Sequence, residues 1–353
     1  MKGCVRAFGV VLASLTLSMF AVAQTLFENF ESYNLNGQPI SGTGGWYKPF
    51  PDFSIDWDLY LYANATLITQ PNPNGGSKVL VGYKPEGTRF PRAQKDFNWS
   101  ARDWWLVSYD VFVNYFRPSE GPGRKYNHDF IGSFSLQPTG NAQYFIDSFQ
   151  WLTPAGNRDT DGNFAEGNPD DGWSMTWAVA NNNNLSASTY VTIHDSPFNQ
   201  LQIRKWYRRF VAFTFNGTDY RGESASFLVK VGIRDLATGE TRVALVGPTQ
   251  DQPIWYLVRP NNTSDRPTAF RFFVGGLADA DSYGNFLAVD NLLITGFSYG
   301  DVNMDGCVDD ADLLAVLFAF GNTGTFLAED TNGDGTVDDA DLLTVLFAFG
   351  EGC

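Results

Sequence analysis

The sequence predicts a mainly β protein, an antiparallel two-sheet sandwich followed by a small α-helical module. Apolar residues recur at every second position of 105–113 and again at Phe227, Val229, Val231 and Ile233, a pattern typical of strands with one buried face. No amphipathic helix is evident from residue 25 to 297, where Gly, Pro and Asn recur. A duplicated segment near the C-terminus, with apolar residues at helical spacing, predicts the module.

The first 23 residues have the layout of a cleaved secretory signal. Lys2 and Arg6 precede an apolar run that reaches Phe20, and Ala21 and Ala23 supply the small residues of a cleavage site. The run is shorter than the roughly 20 residues that a membrane-spanning helix needs, so we predict no membrane span. We therefore expect the mature chain to be secreted and to act outside the cell or at its surface.

Removal of the signal leaves cysteines in the tail alone. The remaining pair, Cys307 and Cys353, lies within 299–353, which we predict to be a separate module behind a sandwich domain at 24–298. In an oxidising compartment an even pair of cysteines is a candidate disulfide. We predict a Cys307–Cys353 bond, with two free thiols as the alternative.

The tail also carries most of the charge. The whole chain has a formal net charge of −15, and from Tyr299 onward it contains 12 acidic residues and no Lys or Arg. Apolar residues between the acids argue against a disordered acidic segment, so the acids require cations nearby. Such a chain is a poor partner for nucleic acid, whose phosphates it would repel.

Residues 301–312 and 330–341 form a repeat with an offset of 29. Each stretch has oxygen-bearing side chains at positions 1, 3, 5, 9 and 12 and glycine at position 6, which is the ligand pattern of an EF-hand calcium loop. We predict two calcium ions, with a pair of solvated Asp/Gly turns as the alternative. The predicted ligands of the first ion are Asp301, Asn303, Asp305, the carbonyl of Cys307, Asp309 through water, and Asp312. Those of the second ion are Asp330, Asn332, Asp334, the carbonyl of Thr336, Asp338 and Asp341.

Each loop is followed, but not preceded, by a helical pattern. Two loop–helix units that begin Asp-x-Asn-x-Asp-Gly resemble the dockerin type I module, over the last 53 residues. The resemblance implies attachment to a cohesin-like domain or another protein. At loop positions 10 and 11, where dockerins usually carry hydroxyl residues, the first repeat has Asp310 and Ala311 and the second has Asp339 and Ala340.

Helical spacing divides the apolar residues of the repeats into two faces. The face predicted to pack the two units together consists of Leu313, Val316, Leu317, Phe320, Leu342, Val345, Leu346 and Phe349. The other face consists of Leu314, Phe318, Leu343 and Phe347. This second face is either core or a docking surface, and we predict it as the partner-binding site.

Three segments of the large domain indicate a more specific fold. Residues 27–33 with Trp46, residues 205–213, and residues 288–294 resemble the opening, a middle and the last strand of concanavalin A-like jelly rolls in secreted bacterial proteins. The resemblance implies a jelly-roll sandwich of the class that includes lectins and glucanases.

No catalytic group stands out in this domain. Jelly-roll glycosidases resemble one another in a strand of the form Glu-x-Asp-x-x-Glu, because retaining hydrolysis needs two carboxyl groups about 5 Å apart. No such strand is present, Asp110 and Glu223 are isolated, and His128 and His194 have no nucleophile to activate. We predict no catalytic residues.

Two kinds of weaker feature have both a functional and a structural interpretation. The groups that are either metal sites or solvated turns are Asp159, Asp161 and Asn163, and Asp279, Asp281 and Asn285. The tryptophans beside turns, which would either stack on sugar rings or fill the core, are Trp46, Trp57, Trp99, Trp104, Trp173 and Trp255.

These observations predict a secreted, non-catalytic binding protein that recognises a glycan or cell-surface polymer, with a calcium-stabilised tail for attachment or assembly. One alternative is a glycoside hydrolase or polysaccharide lyase of the same sandwich class. The other is a structural protein of the cell envelope or matrix.

Overall fold

The structure is a computed structural model. It describes residues 25–35, 37–49, 60–63, 71–83, 92–114, 132–137, 139, 151–154, 173–181, 184–192, 202, 204–218, 222, 224–245, 266–274 and 286–353. The predicted signal, 1–23, lies outside the described residues.

The described residues form sixteen β-strands and two α-helices. The strands are β1 (Leu26–Glu28), β2 (Gln38–Pro39), β3 (Trp46–Tyr47), β4 (Tyr60–Ala63), β5 (Lys78–Tyr83), β6 (Arg92–Asp96), β7 (Trp104–Asn114), β8 (Gly132–Gln137), β9 (Trp151–Pro154), β10 (Trp173–Asn181), β11 (Asn184–Thr192), β12 (Trp206–Thr218), β13 (Ser224–Asp235), β14 (Thr241–Leu245), β15 (Ala269–Val274) and β16 (Phe286–Gly296). The helices are α1 (Asp310–Ala319) and α2 (Asp339–Ala348). None of the helices in the described residues is long and apolar enough to cross a membrane.

The strands form three antiparallel sheets. The large sheet has the order β14-β13-β12-β7-β16-β5-β4-β2, with β1 also paired to β16, and the small sheet has the order β3-β6-β15-β8. Strands β9, β10 and β11 form the third sheet. Strand β16 lies between β7 and β5, and β15 lies between β6 and β8, so neighbours in space are distant in sequence, as in Greek-key folds. The predicted fold class, a mainly β jelly-roll sandwich with a small helical module behind it, is confirmed.

An aromatic core fills the space between the large and small sheets. Trp105 and Phe213 of the large sheet are buried there together with Trp46, Phe270 and Phe272 of the small sheet. The Trp46 and Phe270 rings meet edge-on, with 5.4 Å between their centroids. The residues of β7 that were predicted to share a buried face all belong to this core, and they are Trp105, Val107, Tyr109, Val111 and Val113.

Strand β13 departs from the predicted alternation. Val231 and Ile233 face the core between the sheets, but Phe227 and Val229 face the opposite side of the large sheet. The pairing of β12 with β13 shifts in register beside Ala212. A bulge of this kind adds one residue to a strand and reverses the direction of the side chains that follow it. The prediction that all four apolar residues share one face is therefore wrong.

The tail covers part of the outer face of the large sheet. Met304 and Ala328 of the tail are buried against a cluster from this face that includes Leu106, Phe210 and Phe227. The backbone is joined too, because the Val243 N–H of β14 donates to the Phe326 carbonyl at 3.1 Å. The tail is thus a further layer on the sandwich.

Within the tail the two helix units pack through small residues. The buried core of the tail consists of Val302, Val308, Val316, Ala319, Val337 and Val345. Leu313 and Leu342 pack against this core, but Leu317, Phe320, Leu346 and Phe349 are about half exposed. The prediction that the latter four pack the units together is wrong, because the valines and alanines already close the short interface between two ten-residue helices. The predicted disulfide between Cys307 and Cys353 is confirmed, with the Cα atoms 4.7 Å apart.

Candidate functional site

The first predicted calcium loop is a tight turn organised by its first residue. The Asp301 carboxylate accepts hydrogen bonds from the Asp305 N–H at 3.1 Å and from the Gly306 N–H at 2.9 Å. Gly306 has φ +96°, a left-handed conformation that glycine adopts at little cost. The glycine at position 6 therefore serves the sharp turn that the motif predicts.

The second loop repeats this geometry. The Asp330 carboxylate accepts from the Gly333 N–H at 2.7 Å and from the Gly335 N–H at 2.8 Å. Gly335 has φ +87°. The sequence repeat is thus also a repeat in conformation.

The last residue of each loop joins the loop to its helix. Asp312 is fully buried and accepts from the N–H groups of Val302 at 2.7 Å and Asp309 at 2.9 Å. The Asp309 side chain accepts in turn from the Ala311 N–H at 2.8 Å and from the Asp312 N–H, and the second of these bonds completes a capping box at the start of α1. Asp341 and Asp338 form the same box at the start of α2.

The loops concentrate negative charge. Burial, followed by repulsion from Asp312 and Asp305, raises the pKa of Asp301 to about 7. Burial also raises the pKa of Asp312, and a nearby cation would reverse both effects. Carboxylates and the Asn303 and Asn332 amides are the hard oxygen donors that calcium prefers, so the residues present fit the ion.

The ligand sets themselves stay a prediction. The twelve predicted ligands lie in two loops in the predicted order. However, within the described part of the chain no three His, Cys, Asp or Glu side chains come close enough together to hold a metal ion. The carboxylates of Asp312 and Asp341 are turned toward backbone N–H groups.

The predicted partner-binding residues are at the surface. Phe318 and Phe347 are each 85% exposed, and Leu314 and Leu343 are about half exposed. This exposure rules out the alternative that they form the core of the module. The four half-exposed residues of the other predicted face, Leu317, Phe320, Leu346 and Phe349, lie on or directly after the same helices. We define the apolar helix surface as Leu314, Leu317, Phe318, Phe320, Leu343, Leu346, Phe347 and Phe349.

The face of the small sheet that points away from the aromatic core carries a row of polar side chains, of which Gln94, Ser135 and Arg271 are buried. Tyr47, Gln94, Arg271 and Ser135 occupy paired positions on β3, β6, β15 and β8. Arg271 donates to the Gln94 side-chain oxygen at 2.6 and 2.9 Å, and the Gln94 amide donates to the Tyr47 hydroxyl at 2.7 Å. Tyr47 donates to the exposed Asp96 at 2.7 Å. This polar row is a connected network that opens to solvent at Asp96.

A second polar cluster crosses the outer face of the large sheet. Arg208, Asp110 and Asp290 occupy paired positions on β12, β7 and β16, and Arg208 Nε donates to Asp110 at 2.6 Å. Asn72 Nδ2 donates to Asp110 at 2.9 Å and to Asp290 at 3.1 Å. Burial, and then repulsion from Asp110, raises the pKa of Asp290 to about 7. This cluster was not predicted, and the interpretation of Asp110 as isolated is wrong, because strand register, which brings the two acids together, cannot be read from one strand.

The tryptophan candidates do not form a sugar platform in the described residues. Trp46 and Trp99 are buried in the core, and Trp104 lies against Phe297 and Tyr299 under the tail. The structural interpretation of these three is confirmed. The side chain of Trp173 is not described, and the other candidates outside the described residues are Trp57, Trp255, His128, His194, Glu223, Asp159, Asp161, Asn163, Asp279, Asp281 and Asn285.

No protein-family model and no curated protein matches the chain. Among solved structures, an alginate lyase from Aplysia kurodai is 12% identical, with a TM-score of 0.35 over 68% of this chain and 90% of the lyase. Lectin II from Ulex europaeus is 13% identical, with a TM-score of 0.32 over 61% of this chain and 86% of the lectin. A Bacteroides ovatus mixed linkage glucan GH16 structure is 10% identical, with a TM-score of 0.32 over 78% of this chain and 96% of that chain. Similarities this weak carry no argument about activity.

Proposed function

We propose that this chain is a secreted, non-catalytic binding protein whose dockerin-like tail is stabilised by two calcium ions and docks onto a protein partner. The apolar helix surface carries the proposal. Three of its large side chains lie on each of two equivalent helices and one directly follows each helix, and Phe318 and Phe347 are 85% exposed. Exposed clusters of large apolar side chains of this kind mark interaction sites on soluble proteins.

Calcium would act in the tail as a structural ion. Each loop would hold it through the side chains at positions 1, 3, 5, 9 and 12 and the carbonyl at position 7. The loop residues fix where the helices begin, because Asp309 and Asp338 cap α1 and α2. Calcium bound in these loops would therefore hold the two helices, and with them the apolar helix surface, in one fixed orientation.

The charge of the tail limits the chemistry of the partner. The tail that carries the apolar helix surface contains 12 acidic residues and no Lys or Arg. A matching partner, whether cohesin-like or of another fold, would present an apolar surface with a basic rim, since opposite charges at a rim favour encounter and like charges oppose it.

The test compares matched substitutions on the full mature chain. Each variant is used to capture proteins from the secreted and cell-surface fractions of the source cells, with quantification by mass spectrometry. We expect Phe318→Glu to weaken capture modestly and Phe318→Glu with Phe347→Glu to abolish it, because two equivalent helices can each engage the partner. Phe27→Glu is the control, since Phe27 is also exposed but lies on β1. Equal loss in the control would contradict the proposal, and so would full capture by the double variant.

Glycan binding by the sandwich is the second candidate, and the polar row favours it. Amide, guanidinium and hydroxyl groups are the side chains that hydrogen-bond sugar hydroxyls; Gln94 and Arg271 are buried, and the row reaches solvent at Asp96. A glycan array with the mature chain and an Arg271→Met variant tests this, because only the unmodified chain should be retained. Assays for released reducing ends and unsaturated sugars test the hydrolase and lyase alternatives. Without binding or release, the structural-protein alternative is favoured.

A further inference from the structure

Lys230 is a buried cation between the sandwich and the tail. It is on β13, where its paired neighbours are Ala212 of β12 and Leu245 of β14. Ala212 belongs to the cluster that the tail covers, and Leu245 lies beside Gly333 of the second loop, so this face of the sheet meets the tail. Only 1% of Lys230 is exposed, and its ammonium has no hydrogen-bond partner among the described residues.

The charges that act on Lys230 come from both loops. Burial lowers the pKa of Lys230 to about 8, while the carboxylates of the two loops oppose this effect. These carboxylates are Asp301, Asp330, Asp341 and Asp312. They are the first and last positions of each repeat, which are predicted calcium ligands at both sites. One sandwich cation therefore faces both predicted sites.

We propose that the buried charge of Lys230 weakens the binding of calcium to both loops, an inference that rests on the proposed calcium function. A buried ammonium is stable only where opposite charge compensates it. In the absence of calcium the loop carboxylates compensate the ammonium in part, and Lys230 partly neutralises their mutual repulsion.

Calcium and Lys230 thus compete for the same negative charge. Coupling of this kind is reciprocal, because a cation that weakens the binding of another is itself weakened to the same extent. Apolar burial of Met304 and Ala328 joins the tail to the large sheet, so the charge of Lys230 acts on the loops of a docked tail. A lysine whose charge is not coupled to the loops would leave calcium affinity unchanged.

The test uses the full mature chain with Lys230→Met, which keeps the length and apolar stem of the side chain but removes its charge. Hydrogen exchange of tail peptides in chelator measures docking, and calorimetric titration measures calcium affinity. We expect about tenfold tighter calcium binding at both sites, with tail exchange in chelator no faster than in the unmodified chain, because burying the ammonium costs more than the loop charges return. Lys95→Met is the control, since Lys95 is on β6 of the small sheet and forms an ion pair with Glu28 of β1 at 3.1 Å. It should change neither quantity.

Lys230→Arg keeps the charge and should behave as the unmodified chain, so it separates charge from disrupted folding. The proposal is refuted if Lys230→Met leaves calcium affinity the same or lowers it, or if Lys230→Arg tightens calcium binding as much as Lys230→Met does. If the unmodified chain binds no calcium, the proposed calcium function fails together with this inference, whereas calcium binding of equal affinity in the unmodified chain and in Lys230→Met overturns this inference alone.

Discussion

The sandwich core is filled by tryptophan and phenylalanine rings from two sheets, whereas the tail packs mainly valines around two ten-residue helices. Isolated helices of that length are marginal in water. The tail instead depends on the Cys307–Cys353 bond, the acidic loops and the sheet beneath it. The stability of the sandwich therefore follows from apolar burial, whereas the stability of the tail depends on charge and on cross-linking.

The largest effect is expected in the sandwich core. Trp105→Ala removes a fully buried ring that contacts Trp99 and Phe97, and we expect the free energy of unfolding to fall by about 4 kcal/mol. Urea unfolding measures this. Phe27→Ala, at a side chain that is 59% exposed, should change the free energy by less than about 0.5 kcal/mol. A similar loss in both variants would remove the distinction between core and surface.

The disulfide should matter to the tail and not to the sandwich. The bond closes 46 residues, and the chain-entropy relation gives about 4 kcal/mol for a loop of that size, with measured values often lower. Replacing both cysteines with serine should therefore strongly increase hydrogen exchange in tail peptides. Protection of β7 and β12 should be retained. Loss of protection in all three regions together would mean that tail and sandwich unfold as one unit.

Charge is also buried within the sandwich, at Asp290. Its pKa is about 7 in the folded protein and 3.8 as the ordinary value, so the folded state holds the proton more tightly. Stability from this group is complete below about pH 4 and is lost as pH rises through 7. From pH 5 to pH 8 we expect the free energy of unfolding to fall by about 2 kcal/mol. Urea titrations of Asp290→Asn should show a flatter pH profile, and an unchanged profile would exclude Asp290 as its source.

The smallest effect in the absence of calcium is expected at a helix cap. Asp312→Ala removes the N3 partner of the capping box and should destabilise α1 by about 1 kcal/mol in chelator. In calcium the loss should be greater, and titration should show one ion bound instead of two. Asp310→Ala alters an exposed acid that is not a predicted ligand. Equal behaviour of the two variants in calcium would argue against the first site.

Much of the fold could be predicted because its signals are local. The alternation in β7 follows from the geometry of a single strand. The repeated loops and their helices follow from interactions within short segments. Gly306 allows the sharp turn of the first loop, and Asp309 caps the helix that follows it. The disulfide could be predicted because only two of the three cysteines lie outside the predicted signal.

The contacts between segments that are distant in the chain could be seen only in the tertiary structure. A bulge beside Ala212 turns Phe227 toward the tail, strand register places Asp110 opposite Asp290, and packing of the tail on the large sheet buries Lys230 between two acidic loops. Each depends on pairing between residues far apart in the chain. A sequence pattern fixes how a segment alternates, but pairing energy summed over whole strands fixes its register and neighbours.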